Sequence, residues 1–276
     1  MDHHQDPSFC FSNLEDELHK SFRDSHTSTQ IETISSTNLK QEIDVYCDEI
    51  LNTRDNNIKP LVVVGDCGVG KSVALATWTA HRKANTPPNK RMDYGEYLFY
   101  HSIGCSRLST QVYHLLRRLI SSMIKHFQIK ETMNLSDDKL PWVLPRLLDK
   151  CSQRGRVVIV LDGLCHLSNN DKDIGLKWLP LCLPSNVRMI LSTTTPSDIT
   201  SSSTDYSRRR QTKVIHTWDE IQRRKWPTIS LKCIQDVHVA SFIDDYLSVS
   251  TQSLPNILVG TTRTQVIEYV SSHPLS

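Results

Sequence analysis

The sequence has 276 residues, which suffices for one large α/β domain or two small ones with a substantial core. Its 32 lysines and arginines nearly balance its 30 aspartates and glutamates, which excludes a charge-driven disordered chain and gives no global basic field for nucleic acid. It has no apolar run long enough to span a membrane and no signal peptide at its N-terminus, so we expect a soluble, cytoplasmic protein.

The first part of the chain begins with a polar segment and continues with a segment in which apolar residues repeat at helical spacing. We expect residues 1–35 to form a polar, partly disordered leader with one amphipathic patch. Apolar residues then recur every three or four positions over 36–51, which predicts a helix. The β-branched run at 61–64 is typical of a buried parallel strand, and residues 71–83 after it have helical character.

Strands and helices alternate along the rest of the chain, which we assign with the preceding elements to one domain, 36–276. This alternation favours a parallel, doubly wound α/β sheet of about five strands flanked by helices in three layers. We expect residues 197–211 to be a low-complexity loop. The predicted elements are strands at about 97–103, 156–161, 187–193 and 228–232, and helices at about 110–127, 140–151, 237–246 and 262–270.

A glycine-rich segment follows the first strand and carries the clearest chemical signal. It matches the G-x-x-x-x-G-K-[ST] phosphate loop (P-loop) and consists of Gly65, Asp66, Cys67, Gly68, Val69, Gly70, Lys71 and Ser72. Glycines there let successive backbone N–H groups point at an anion, and Lys71 neutralises the β- and γ-phosphates. The segment predicts binding of ATP or GTP, and an inert glycine turn is the alternative.

A magnesium ion bound with the nucleotide needs a carboxylate at the end of a neighbouring strand. Asp162 closes the strongest apolar strand of the chain, and Ser72 supplies a hydroxyl. We expect these two residues to bind Mg²⁺. The alternative for Asp162 is a helix N-cap or turn residue, which is common where a strand ends.

These motifs resemble those of the NACHT-type signal-transduction (STAND) P-loop NTPases. Within that class the sequence is most similar to the group that contains nephrocystin-3, telomerase-associated protein 1, NACHT/WD-repeat proteins and a related tetratricopeptide-repeat protein. One strand lies in sequence between the loop and Asp162, as in the ATPase branch of P-loop folds, where an extra strand separates the two motifs in the sheet. The stretches that carry the resemblance are 60–65, 100–104, 161–164, 178–180, 183–193 and 226–231.

The resemblance implies a regulatory switch in which Mg²⁺ and ATP, favoured over GTP, control contacts with a repeat domain C-terminal to the NTPase. It also implies protein partners, oligomer formation on nucleotide binding, and an association with the cilium. Family members carry a proline at the adenine, and Pro274 is the matching candidate. We expect the sequence to stop before a helical or repeat region, either as a fragment or as an NTPase module used alone. We expect neither membrane nor nucleic-acid binding, and the basic residues at 208–210 and 223–225 are interpreted as solvated.

The sequence departs from the NACHT pattern just after Asp162. Acidic residues are usual there, where one can orient the attacking water, whereas this chain has Cys165 and His166. His166 is a candidate base, but the pattern favours slow or absent hydrolysis. Thr193 and Thr194 end the next strand, where such folds place a γ-phosphate sensor, and ordinary polar strand-end residues are the alternative. A degenerate scaffold that acts only by protein interaction is the second functional hypothesis.

Overall fold

The computed structural model describes residues 7–27, 34–49, 58–85, 94–130, 136–168, 176–196 and 205–232. Its centre is a five-stranded sheet in the order β2-β3-β4-β1-β5 with every neighbouring pair parallel. The strands are β1 (Leu61–Gly65), β2 (Tyr97–Ser102), β3 (Val157–Asp162), β4 (Val187–Thr194) and β5 (Thr228–Ser230). Because β4 lies between β1 and β3, the sheet has the extra strand expected between the loop strand and the Asp162 strand.

Helices cover both faces of this sheet, which makes three layers. They are α1 (Pro7–Thr27), α2 (Ile34–Asp48), α3 (Lys71–Asn85), α4 (Val112–His126), α5 (Leu140–Ser152) and α6 (Asp205–Arg224). Leu39 and Ile43 of α2 and Leu75 and Trp78 of α3 are buried against one face of the sheet. Helices α4 and α5 and part of α6 pack on the other face.

The predicted fold class is therefore confirmed: the chain has the three-layer architecture of a P-loop NTPase. Strand β3 illustrates why sequence pattern sufficed, since a parallel strand covered on both faces needs an uninterrupted apolar run. All six residues of β3 are buried, including Asp162 at its end.

One predicted element is wrong. Residues 205–211 belong to α6, whereas we expected a loop over 197–211. The Ser- and Arg-rich start of α6 gives no apolar period, and the helix is fixed instead by its C-terminal half. There Ile221 is fully buried, and Arg224 donates to the carbonyls of Leu176 and Leu179. The helices expected at 237–246 and 262–270 lie outside the described residues.

Helix α1 docks beside the carboxyl end of β2, within the segment interpreted as a leader. Its His19 is 2% exposed, and Nδ1 accepts a hydrogen bond of 3.1 Å from the backbone N–H of Ser102. The His19 ring lies 4.1 Å from that of His101. Glu15 accepts hydrogen bonds from the Ser106 hydroxyl, so α1 contacts both β2 and the loop that follows it.

An arginine near the end of α3 connects α3, α2 and the segment before β2, at the amino ends of the strands. Arg82 pairs with Glu96 at 2.8 Å, just before β2, and with Asp48 at 2.7 Å and Asp44 at 3.3 Å on α2. The Glu96 side chain is only 5% exposed, and its cationic neighbours include Arg82 and Arg156, the latter 3.6 Å away.

Candidate functional site

The glycine-rich loop connects β1 to α3 in the geometry that binds anions. Gly68 and Gly70 have φ values of 76° and 94°, in the left-handed region that favours glycine. Helix α3 then begins at Lys71, and the Ala74 N–H donates to the Gly70 carbonyl at 2.9 Å. The positive end of the α3 dipole and its unbonded N–H groups therefore face the loop.

The Lys71 ammonium lies across this loop. Its Nζ donates to the carbonyl oxygens of Gly65 at 2.7 Å and Asp66 at 2.6 Å. Burial lowers the pKa of Lys71, while the nearby Cys165 and Cys67 thiols and the carboxylates of Asp162 and Asp66 oppose that shift. The cation is thus held at the loop by backbone oxygens that a phosphate could replace.

Gly65 is constrained by a close approach from β5. A Cβ atom at this position would lie 2.5 Å from the carbonyl oxygen of Leu231, just after β5. The Leu231 N–H also donates to the Val64 carbonyl at 2.8 Å. The first glycine of the loop is therefore required by strand packing.

Asp162 lies at the carboxyl end of β3 with its orientation fixed from β4. It is 3% exposed, and its Oδ1 accepts a hydrogen bond of 2.6 Å from the Ser192 hydroxyl. The same hydroxyl accepts one of 2.8 Å from the Gly163 N–H, so its single proton is committed to Asp162. Ser192 was not among the predicted site residues, although its place near the end of a predicted strand was a usable signal.

A tyrosine approaches Asp162 from the other side, on β2. Tyr100 shares the face of the sheet covered by α3, and the register pairs Ser102 with Asp162 two residues further on. Tyr100 is 6% exposed, and its hydroxyl has no hydrogen-bond partner among the described residues. Burial and then the Asp162 charge raise the pKa of Tyr100, which indicates that the two side chains are close.

Cys165 and His166 form a short helical turn directly after β3. Cys165 is buried, with its Sγ 3.7 Å from the Thr194 hydroxyl. Burial raises the pKa of its thiol, but hydrogen bonds and charge from His166, together with Thr194, outweigh this and lower the pKa to about 7. His166 is exposed.

The structure brings together most of the predicted site residues. The loop from Gly65 to Ser72 and Asp162 lie at the same edge of the sheet, and the Thr195 hydroxyl donates to the Asp66 carboxylate across β1 and β4. Thr193 is different. Because side chains alternate along a strand, it points to the face opposite Ser192 and Asp162, whereas Thr194 points toward the site. Pro274 lies outside the described residues.

The oxygen donors here fit Mg²⁺ arriving with a nucleotide. Among the described residues no cluster of three histidines, cysteines or carboxylates would hold a metal unaided. Mg²⁺ in phosphate sites is commonly held by one or two protein oxygens with phosphates and water completing the shell. The buried Asp162 and the Ser72 hydroxyl at the start of α3 match that description, and the unpartnered Tyr100 hydroxyl leaves a donor for a further group.

Comparison with known proteins places the chain near the group that its motifs resemble. No protein-family model matches the sequence. It is 31% identical to human nephrocystin-3 over 138 residues, which are 49% of this chain and 10% of the relative. Identity is 28% over 145 residues with mouse NACHT and WD repeat domain-containing protein 2, covering 52% of this chain and 8% of the relative. With rat telomerase protein component 1 it is 25% over 143 residues, covering 50% and 5%.

Solved structures with a similar backbone include the Aeropyrum pernix ORC1 protein in complex with DNA. That match has a TM-score of 0.46 and 11% identity over 86% of this chain and 54% of the other. Domain III of the Thermotoga maritima replication initiation protein DnaA matches with a TM-score of 0.39 and 13% identity over 90% and 82%. In the described part of the chain, no helix has the length and apolar character needed to cross a bilayer.

The chain spans about a tenth or less of the length of the curated relatives it matches. The strand order and the conformation of the glycine-rich loop are nevertheless observed directly in this chain. The predicted resemblance is confirmed: this chain is similar in sequence to nephrocystin-3 and to NACHT and WD repeat protein 2, on a P-loop NTPase fold.

Proposed function

We propose that this chain is a regulatory module that binds a magnesium nucleotide, with ATP favoured over GTP. The observation that carries the proposal is the position of Lys71, whose ammonium lies on the carbonyls of Gly65 and Asp66 at the start of α3. A phosphate entering the loop exchanges these neutral acceptors for charged ones, which strengthens the hydrogen bonds of the ammonium.

The remaining residues of the site have separate roles, which follow from their chemistry. Backbone N–H groups of the loop and of the first turn of α3 bind the phosphate oxygens. Ser72 and Asp162 hold the metal, which when bound offsets negative charge on the phosphates. Ser192 keeps the Asp162 carboxylate in one orientation through its 2.6 Å hydrogen bond.

The same site supports binding better than hydrolysis. A general base must reach the attacking water, and the turn after Asp162 offers a buried thiol and an exposed imidazole in place of carboxylates. We therefore expect slow or absent phosphate release. His166 remains the candidate base, and a His166→Ala variant with unchanged release would exclude that role.

The direct test is a titration of the purified chain with a fluorescent ATP analogue, with and without Mg²⁺. We expect saturable binding that Lys71→Ala abolishes. Lys83→Ala is the matched control, because Lys83 is an exposed lysine near the other end of the same helix. Unchanged affinity in Lys71→Ala would overturn the proposed site.

A thermal-shift measurement separates the switch from a degenerate scaffold. A ligand that binds only the folded chain stabilises it by about 2.7 kcal/mol at a hundred times its Kd. We expect millimolar Mg-ATP to raise the unfolding temperature, and Mg-GTP to raise it less. No shift with either nucleotide would favour a scaffold that acts through protein contacts alone.

The switch itself would act by changing protein contacts with nucleotide state. This proposal is supported by sequence similarity to NACHT and WD repeat protein 2, whose name includes a repeat domain. Light scattering of the chain with Mg-ATP, with ADP and without nucleotide tests for oligomer formation. Similarity to nephrocystin-3 is the basis for proposing a location at the cilium, which imaging of a tagged full-length protein would test.

A further inference from the structure

Strand β2 buries two tyrosines whose hydroxyl groups lack partners, on opposite faces of the sheet. Tyr97 and Tyr100 are each 6% exposed, and neither hydroxyl makes a hydrogen bond with any residue that the structure describes. Tyr97 packs on the α4 and α5 side, while Tyr100 packs on the α3 side. The pair therefore presents the same chemical group in two different surroundings.

The surroundings of Tyr100 include the metal-binding carboxylate. Strand β3 lies between β2 and β4, so Asp162 has Ser102 of β2 on one side, two residues after Tyr100, and Ser192 of β4 on the other. Ser192 already donates to Asp162 Oδ1. A buried hydroxyl without a partner costs roughly 1–3 kcal/mol, a cost that phenylalanine would avoid. At Tyr100, unlike Tyr97, a ligand bound at Asp162 would offset this cost by a hydrogen bond with the hydroxyl.

We propose that Tyr100 is a positioning residue for the bound metal and nucleotide. Its hydroxyl accepts a hydrogen bond from a water molecule that completes the shell of the magnesium ion at Asp162. This inference rests on the proposed function, because it needs a metal bound together with a nucleotide. It adds β2 to a site that the sequence motifs confined to β1, β3 and β4.

The alternative is that Tyr100 is only a core residue. Both readings fit a buried ring packed against α3, and they differ in what the hydroxyl does when the ligand is present. A core role predicts that Tyr100→Phe leaves every ligand-dependent property unchanged. A positioning role predicts a change confined to the metal-dependent part of binding, since only that part involves the metal-bound water.

The experiment compares Tyr100→Phe with Tyr97→Phe, which removes the same atom from the same strand on the other face. Binding of a fluorescent ATP analogue is measured without metal and then as a function of Mg²⁺. For Tyr100→Phe we expect the half-saturating Mg²⁺ concentration to rise about five-fold, as for loss of one hydrogen bond, with metal-free binding unchanged. Tyr97→Phe should match the unaltered chain.

Stability without ligand checks that the variants fold. Both should unfold at or slightly above the temperature of the unaltered chain, because each removes an unpaired buried hydroxyl. Nucleotide binding by the unaltered chain with no change of Mg²⁺ dependence in Tyr100→Phe overturns this inference and leaves the proposed function standing. Equal effects of the two substitutions also overturn it. An unaltered chain that binds no nucleotide overturns both proposals.

Discussion

The Ser192 hydroxyl donates to Oδ1 of Asp162 at 2.6 Å and accepts from the Gly163 N–H at 2.8 Å, which ties β4 to the end of β3. Both Ser192 and Asp162 are almost completely buried.

Ser192→Ala should weaken both stability and metal binding. The substitution leaves the buried Asp162 carboxylate and the Gly163 N–H without this partner, which should cost about 1–3 kcal/mol of unfolding free energy, measured by urea denaturation. A freely rotating carboxylate should also raise the Mg²⁺ concentration needed for nucleotide binding. Unchanged stability together with unchanged Mg²⁺ dependence would contradict this role for Ser192.

Thr193→Val tests the sensor interpretation at the next residue. The Thr193 hydroxyl is buried, has no partner among the described residues, and points away from the Asp162 side of the sheet. Replacing it with a methyl group of similar size should leave the unfolding free energy unchanged or slightly higher. Nucleotide affinity should stay the same, and a clear loss of affinity would show that Thr193 does contact the phosphates.

Stability should fall as the pH drops below 6.5, because of His19 and His101. Burial and the Arg118 charge lower the pKa of His101 to about 3, and burial, His101 and Arg118 lower that of His19 to about 2. The unfolded chain binds protons that the folded chain excludes, so each histidine costs about 1.4 kcal/mol per pH unit well below 6.5. The stabilisation is fully present above that pH.

The hydrogen bonds of His101 hold its ring in the neutral form. Arg118 donates to Nδ1 of His101 at 3.1 Å, so Nε2 carries the proton that is donated to the Ser109 carbonyl at 3.0 Å. His101→Gln should flatten the dependence of unfolding free energy on pH between 7 and 5, measured by chemical denaturation. His114→Gln, on the exposed side of α4, is the control, and an equal effect there would contradict the assignment.

Arg82→Ala should destabilise the fold far more than an arginine change at an exposed pair. It removes a 2.8 Å contact to Glu96, whose side chain is 5% exposed, and a 2.7 Å contact to Asp48. Glu96 keeps Arg156 3.6 Å away, so the loss should lie near the lower end for breaking a buried pair, about 3 kcal/mol. Arg117→Ala breaks a 2.6 Å pair with Asp137 in which both side chains are over 40% exposed, and should change stability by less than about 1 kcal/mol. Similar losses in the two variants would exclude burial as the cause.

Nucleotide should protect one exposed cysteine from alkylation and leave another reactive. Cys67 lies in the glycine-rich loop, and Cys182 lies before β4, away from the loop; both are exposed cysteines. Phosphates bound at the loop should cover Cys67 and slow its reaction with iodoacetamide, while Cys182 reacts as before. Peptide mass spectrometry measures each site separately. Protection of both cysteines would indicate a general tightening of the chain.

Much of the fold could be predicted because β1, β3 and β4 are buried on both faces. That environment favours apolar runs, which are uninterrupted at 61–64 in β1 and 157–161 in β3 and are shorter, at 189–191, in β4. The glycine-rich loop was equally clear, since Gly68 and Gly70 adopt φ values that other residues avoid. Helix α6 was missed because the sequence of its first turns has no apolar period; its tertiary contacts include those of Ile221 and Arg224 in its C-terminal half.

The neighbours of Asp162 were harder to predict because they come from different strands. Ser192 donates to it from β4 and Tyr100 lies near it on β2, and nothing in either segment alone indicates that proximity. The choice between Thr193 and Thr194 depends on strand register, since a shift of one residue exchanges the two faces of the sheet. Only the pairing of Val63 with Ser192 fixes which side chains point toward the loop.

The close approach of Leu231 to Gly65 determines which loop variants give interpretable results. An added Cβ at Gly65 would collide with a backbone oxygen at 2.5 Å, so Gly65→Ala would displace the end of β5 whether or not nucleotide binds there. Nothing lies within 4 Å of the corresponding point at Gly70, although its φ of 94° is strained for alanine. Substitutions at the two glycines should therefore have different effects. Replacing Gly65 would produce a packing defect that resembles a binding defect, whereas replacing Gly70 would produce a distortion confined to the loop.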